Sequence, residues 1–146
     1  MLQFTYTFER EIKEGKTLKN VTDAVRNSLM ERELEDTILA DNIIIGKDRL
    51  FKLDFSSKSP LIFSPGKEFF NYNENTRILT YKIEALYPIL SSLIYSTVLF
   101  LILHFLVQHQ VIEIVIASLF FFINIIMNYC HYLSVMDKIS KSLNEN

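Results

Sequence analysis

Three polar residues recur on one side of an otherwise apolar stretch. Asn124, Asn128 and His131 fall at i, i+4 and i+7, a spacing that puts side chains on one helical face. A second group, Ser92, Ser96 and Thr97, lies in a preceding apolar stretch. Carboxamides, hydroxyls and an imidazole in such surroundings need hydrogen-bond partners, because burying them unpaired is costly. Two arrangements satisfy them. In the first, the six residues bond across a pair of helices or to a second copy of the chain, each contact contributing about 0.6 kcal/mol. In the second, several copies turn Asn124, Asn128 and His131 toward a common axis and line a polar pathway. Two helices alone cannot enclose a pore, so that arrangement requires an oligomer. If the chain reverses near residues 110–111, Thr97 lies level with Asn124 and Ser92 with Asn128.

Bond-making chemistry has little to work with. Phosphate-binding loops need clustered glycines so that backbone N–H groups approach the anion, and Gly15, Gly46 and Gly66 are isolated. Zinc sites need Cys and His in close pairs; Cys130 and His131 are adjacent, and His104 and His109 sit far from them. Cys130 has no basic residue nearby to activate its thiol. Tyr6, Asp54, Tyr72 and Tyr81 do not make a polar pocket by their spacing. A non-enzymatic protein with no metal and no cofactor is therefore expected.

The elements that carry these residues follow from how charge is distributed. The chain has 146 residues and 32 charged ones, but residues 85–136 contain a single charge, Glu113. The remaining 94 residues hold the other 31. Such a split excludes an ordinary soluble globule and excludes disorder, and one cysteine excludes a disulfide scaffold. A helix needs about 20 apolar residues to cross a hydrocarbon core of about 30 Å. Pro88–Val107 and Ile114–Val135 each supply that length, with the six residues 108–113 between them. A transmembrane hairpin of two antiparallel helices is expected, with Tyr87 and Tyr132 at one interface as an aromatic belt.

Basic residues set the orientation. Arg77 and Lys82 precede the first helix, Lys138 and Lys141 follow the second, and the connecting loop has neither Lys nor Arg. The positive-inside rule then places both ends of the chain in the cytoplasm. Residues 1–20 alternate and carry charges, so no signal peptide is expected there.

Residues 1–84 read as an α+β domain: a small antiparallel sheet with one packed helix, in the order β-α-β-β-β-β. Leu2, Phe4, Tyr6 and Phe8 alternate with polar residues, as a half-buried strand requires. Thr17 is a candidate N-cap for a helix that places Leu18, Val21, Val25 and Leu29 on one face and runs to about Arg32. Strands are expected at Ile38–Ile45, Leu50–Phe55, Phe69–Asn73 and Arg77–Ile83, with Gly46-Lys47-Asp48 as a turn and Asn73-Glu74-Asn75 closing a hairpin. Thirteen basic and fourteen acidic residues leave this part near neutral, which argues against nucleic acid. Residues 137–146 read as a short tail that continues the second helix, either as an amphipathic extension suited to an anionic inner leaflet, with Met136, Ile139 and Leu143 on one face, or as a frayed polar terminus.

Only four residues separate the last strand from Pro88, a span of at most about 14 Å. The domain is thus pinned close to the bilayer. The expected role is a membrane-anchored interaction or sensory module, or an accessory subunit of a membrane complex. Its partners would be membrane lipid and either a second copy or another membrane protein. The alternative is an oligomeric pore-forming or membrane-perturbing effector whose soluble domain gates assembly.

Overall fold

Alternation along the chain builds a single sheet. In a computed structural model that describes residues 4–32, 36–40, 43–47, 67–107 and 109–145, the strands are β1 (Thr5–Glu11), β2 (Asp36–Ala40), β3 (Ile43–Lys47), β4 (Lys67–Asn73) and β5 (Ile78–Glu84). The helices are α1 (Leu18–Glu31), α2 (Leu86–Val107) and α3 (Gln110–Glu145). The sheet is antiparallel throughout, in the order β1-β5-β4-β3-β2. The class is α+β, and the last two elements are long apolar helices folded back on each other.

Period-two burial gives the sheet one wet and one dry face. On β4, Glu68, Phe70 and Tyr72 are buried while Lys67, Asn71 and Asn73 are exposed. On β5, Leu79, Tyr81 and Ile83 point the same way, and Phe8 joins them from β1. Phe70 and Tyr81 are register partners and stack with ring centroids 4.3 Å apart. The hairpin between β4 and β5 turns through residues 74–77, and Arg77 takes a left-handed φ of 56°. That conformation ends the turn, so β5 begins at Ile78 and not at Arg77.

Helix α1 follows its sequence closely. Thr17 is extended, as an N-cap requires, and its hydroxyl accepts from the Asn20 N–H at 3.5 Å. The Leu18 N–H donates to the Glu74 carboxylate at 2.6 Å, satisfying another helix-end donor from the β4–β5 turn. Val21, Val25 and Leu29 are buried against the sheet.

Two strand assignments change, and a third is not covered. Ile38–Ile45 is not one strand: β2 and β3 pair antiparallel with Ala40 opposite Ile43. Gly46 and Lys47 belong to β3, opposite Glu68 and Lys67, and do not form a turn. The expected strand at Leu50–Phe55 lies outside the described residues.

The larger difference concerns α3. It is an unbroken helix of 36 residues, about 54 Å long at 1.5 Å per residue. Its last three turns run back over the dry face of the sheet, where Tyr132, Val135, Met136, Ile139 and Leu143 join the core. Residues 137–145 do continue the second helix, as expected, but they pack on the sheet and neither fray nor lie on the membrane surface, so two helices cover the sheet instead of one. Tyr132 is 1% exposed and does not serve as a belt residue. An apolar run looks the same whether lipid or a protein core covers it, so periodicity alone could not separate the two halves.

Candidate functional site

The junction between the domain and the apolar hairpin is short and doubly made. One residue, Ala85, separates β5 from α2. It is buried, its N–H donates to the Phe4 carbonyl at 2.8 Å, and its carbonyl accepts from Ile89 at 3.2 Å. The second connection is α3 itself. Tyr129 meets Phe8 with centroids 5.2 Å apart and Tyr6 at 5.6 Å, so β1 grips α3 where it enters the domain.

Polar clamps hold the rest of that segment. Arg10 bonds Asp137 at 2.8 Å and Lys138 bonds Glu31 at 2.6 Å. The Lys138 ammonium pulls the Glu31 carboxyl below its ordinary range. Near the end of α3, Asn144 accepts from the Lys13 N–H at 2.8 Å and donates to the Glu11 carbonyl at 3.4 Å. The last contacts bond the open edge of β1, which would otherwise be a pairing template.

A buried polar cluster lies beneath this segment. Glu68 is 1% exposed on the dry face, and Arg32, the C-cap of α1, forks onto it with N–O distances of 2.6 and 2.8 Å. A planar guanidinium matches both carboxylate oxygens, which is the geometry a buried charge needs. Burial works against the Arg32 charge, but the Glu68 carboxylate overrides it and raises the guanidinium above its usual value. Tyr81 is fully buried; burial, then the Glu68 charge, pushes its phenol well above 10. The Tyr81 hydroxyl lies within hydrogen-bonding reach of Glu68 and Arg32, and burial first, then the Glu68 charge, raises the Tyr132 phenol as well. None of these four was singled out as a site by sequence, although Glu68 at an inward position between Lys67 and Phe70 was a readable signal.

The six residues expected to bond across the helices divide. Asn128 Nδ2 reaches Ser92 Oγ at 3.5 Å, from α3 to α2. Ser92 also donates to the Pro88 carbonyl of its own helix at 2.7 Å, and three others bond only their own helices: Ser96 to Ser92 and Thr97 to Leu93 at 2.8 Å, and Asn124 to Phe120 at 2.8 Å. Backbone bonding of this kind is the usual refuge of a hydroxyl on a helix. Among the described residues, no hydrogen bond joins Thr97 to Asn124. His131 is exposed and packs edge-on to Tyr132, with centroids 5.6 Å apart.

At the far turn, Glu113 is the unexpected residue. It is 0% exposed, accepts from the His109 N–H at 2.6 Å and pairs with His104 Nδ1 at 3.0 Å. The lone charge of the apolar region thus ties the start of α3 to the end of α2. Beside it, an open groove of about 410 Å³ runs between the helices, floored by Ser96 and Ala117.

Both helices are long and apolar enough to cross a membrane. Most of their large side chains face outward with no protein cover; Phe105 is 79% exposed and Met127 65%. Among the described residues, no cluster of His, Cys, Asp or Glu could hold a metal ion. The fold and junction therefore define an α+β domain fused to an apolar helical hairpin. No protein-family model matches the chain, and neither a curated protein nor a solved structure is significantly similar to it.

Proposed function

We propose that this chain is a two-span membrane protein without enzymatic activity, in which a cytoplasmic α+β domain serves as an interaction or sensory module coupled to the membrane hairpin. It acts alone or as an accessory subunit of a membrane complex. The observation that carries this reading is α3, which is exposed and apolar in its first half and part of the domain core in its second. Gln110–Asn128 spans about 28 Å and Pro88–Val107 about 30 Å, close to the thickness of a hydrocarbon core. An uncovered apolar surface of this extent is a liability in water and is at ease in lipid.

Arg77, Lys82, Lys138 and Lys141 all belong to the domain end of the molecule, which supports a cytoplasmic domain. Asn128 turns its amide onto Ser92 of its own hairpin, which supports packing over a polar pathway. Lipid, and a second copy or another membrane protein, are the partners this surface suits; nucleic acid is not.

The test is hydrogen exchange of the full chain in nanodiscs of thin and thick bilayers. Amides of α1 and β5 should change protection with bilayer thickness. Flexible Gly-Gly insertions after Glu84 and after Asn128 should abolish that dependence. An intact chain indifferent to thickness would overturn the coupling.

A further inference from the structure

We infer that the membrane-facing end of the domain is seated in the lipid interface through Phe4 and Met30, which flank the foot of α2 and add a contact beyond the two spans. The seating rests on the two-span reading proposed above and names headgroup-level lipid as the partner of the domain's own surface.

Exposure singles out the two residues. Among the described residues before α2, the large apolar side chains left exposed are Met30 at 58%, Phe4 at 55% and Ile43 at 39%. Unrelated elements bring the first two to one end of the domain. Phe4 precedes β1, and its carbonyl accepts from the Ala85 N–H at 2.8 Å, so it stands level with the single residue between β5 and α2. Met30 lies in the last turn of α1. The cap holds that turn at the same end, since Arg32 forks onto Glu68, the register partner of Ile83, two residues short of Ala85. In the sheet, β5 lies between β1 and β4, and α1 packs on β3 and β4. Phe4 and Met30 therefore come from opposite sides of the strand that feeds the hairpin.

Distances decide what covers them. Three residues of helix, about 4.5 Å of rise, separate Ala85 from Pro88, where the proposed span begins. A headgroup layer is about 5–8 Å thick on each side of the hydrocarbon. Phe4 therefore stands inside that layer, within reach of the acyl chains. The end of α1 is anchored at the level of Ile83, about 7 Å further from the hydrocarbon, and the unbranched chain of Met30 meets the base of the same layer there. Left in water, two large apolar side chains are unfavourable; the headgroup–acyl boundary buries them. Ile43 makes the contrast. Its register row runs through Asn71 to Thr80, five residues and about 17 Å from Ala85, which is beyond the headgroups.

The test uses tryptophan, which the chain lacks, as a single reporter in the full chain reconstituted in phosphatidylcholine vesicles. With lipid brominated near the headgroup end of its acyl chains, Phe4→Trp and Met30→Trp should lose emission relative to unbrominated vesicles. Ile43→Trp should keep its emission. All three sites are exposed, so the larger ring is accommodated. Val98→Trp, halfway along the first span and 49% exposed, reports the hairpin with bromines near the bilayer centre. Quenching at Val98 without quenching at Phe4, or without it at Met30, overturns the seating and leaves the two-span reading standing. A reporter at either site that is blue-shifted but unquenched marks a protein surface there and overturns the seating as well. Quenching at Ile43 equal to that at Phe4 does the same, because the contact would not be confined to one end of the domain. An unquenched Val98 overturns both the seating and the reading on which it rests.

Discussion

Tyr6 and Tyr129 meet edge to face, with ring centroids 5.6 Å apart and planes at 84°, where α3 passes from its exposed apolar half into the domain core. Phe8 completes the grip on the same ring at 5.2 Å. Aromatic pairs contribute about 0.5–1.5 kcal/mol each beyond the area they bury. Tyr129→Ala should therefore lower the stability of the domain, while Tyr129→Phe retains most of it. Thermal unfolding of the three chains in detergent checks this. Equal losses for Ala and Phe would mean the hydroxyl, and not the ring, makes the contact.

Ile139 is 2% exposed and lies in a stretch that composition alone marks as a polar tail. Ile139→Ala should cost about 2–5 kcal/mol, the usual range for emptying a buried aliphatic site. Limited proteolysis of the domain should accelerate correspondingly. A substitution without effect would return the segment to the status of a loose end.

Glu113 serves two partners at the far turn, the His104 ring and the His109 N–H. Glu113→Ala removes the charged acceptor of the His109 N–H and should destabilise the hairpin by about 1.5–3 kcal/mol. Glu113→Gln keeps an acceptor for the N–H and should cost less. Fluorescence transfer between labels on α2 and α3 during denaturation reports the hairpin directly.

Tyr81 gives the domain an alkaline limit. Its phenol is raised well above 10 in the folded state, by burial first and then by Glu68. Below pH 10 both states are protonated and nothing is lost. As pH rises past 10 the unfolded chain releases the proton while the folded one retains it, so stability falls with pH up to the folded value. Tyr81→Phe should make that slope shallower, with Tyr132, whose phenol burial also raises, keeping part of it. Alkaline unfolding at the same pH in both chains would contradict the assignment.

Much of this was legible in the chain. Thr17, Val21, Val25 and Leu29 carry the start and the buried face of α1 in their spacing alone. The β4–β5 hairpin follows from alternation around Asn73-Glu74-Asn75, and the hairpin of apolar helices from charge that stops at Glu84. What escaped was of one kind. Whether Val135 and Met136 meet lipid or protein depends on which surface arrives, and periodicity says only that they are apolar. The site escaped for a related reason: Arg32 and Glu68 are 36 positions apart, and only the sheet register brings the end of α1 to the start of β4. Of the six polar residues in the apolar runs, Ser92 and Asn128 meet, because a hydroxyl one turn from a carbonyl finds that carbonyl first.

The most direct measurement is the distance between spin labels at Val115 and Lys141 in nanodiscs, with Cys130→Ser to leave only the two labels. Both positions are exposed, one on the apolar half of α3 and one on the half that covers the domain. They are 26 residues apart on one helix, and a continuous rod puts their backbones about 39 Å apart. A single narrow distribution near that value is the expected result, since domain and hairpin then share one rigid helix. A broad distribution, or one centred well short of it, would mean that α3 breaks at the junction and that the domain is merely tethered.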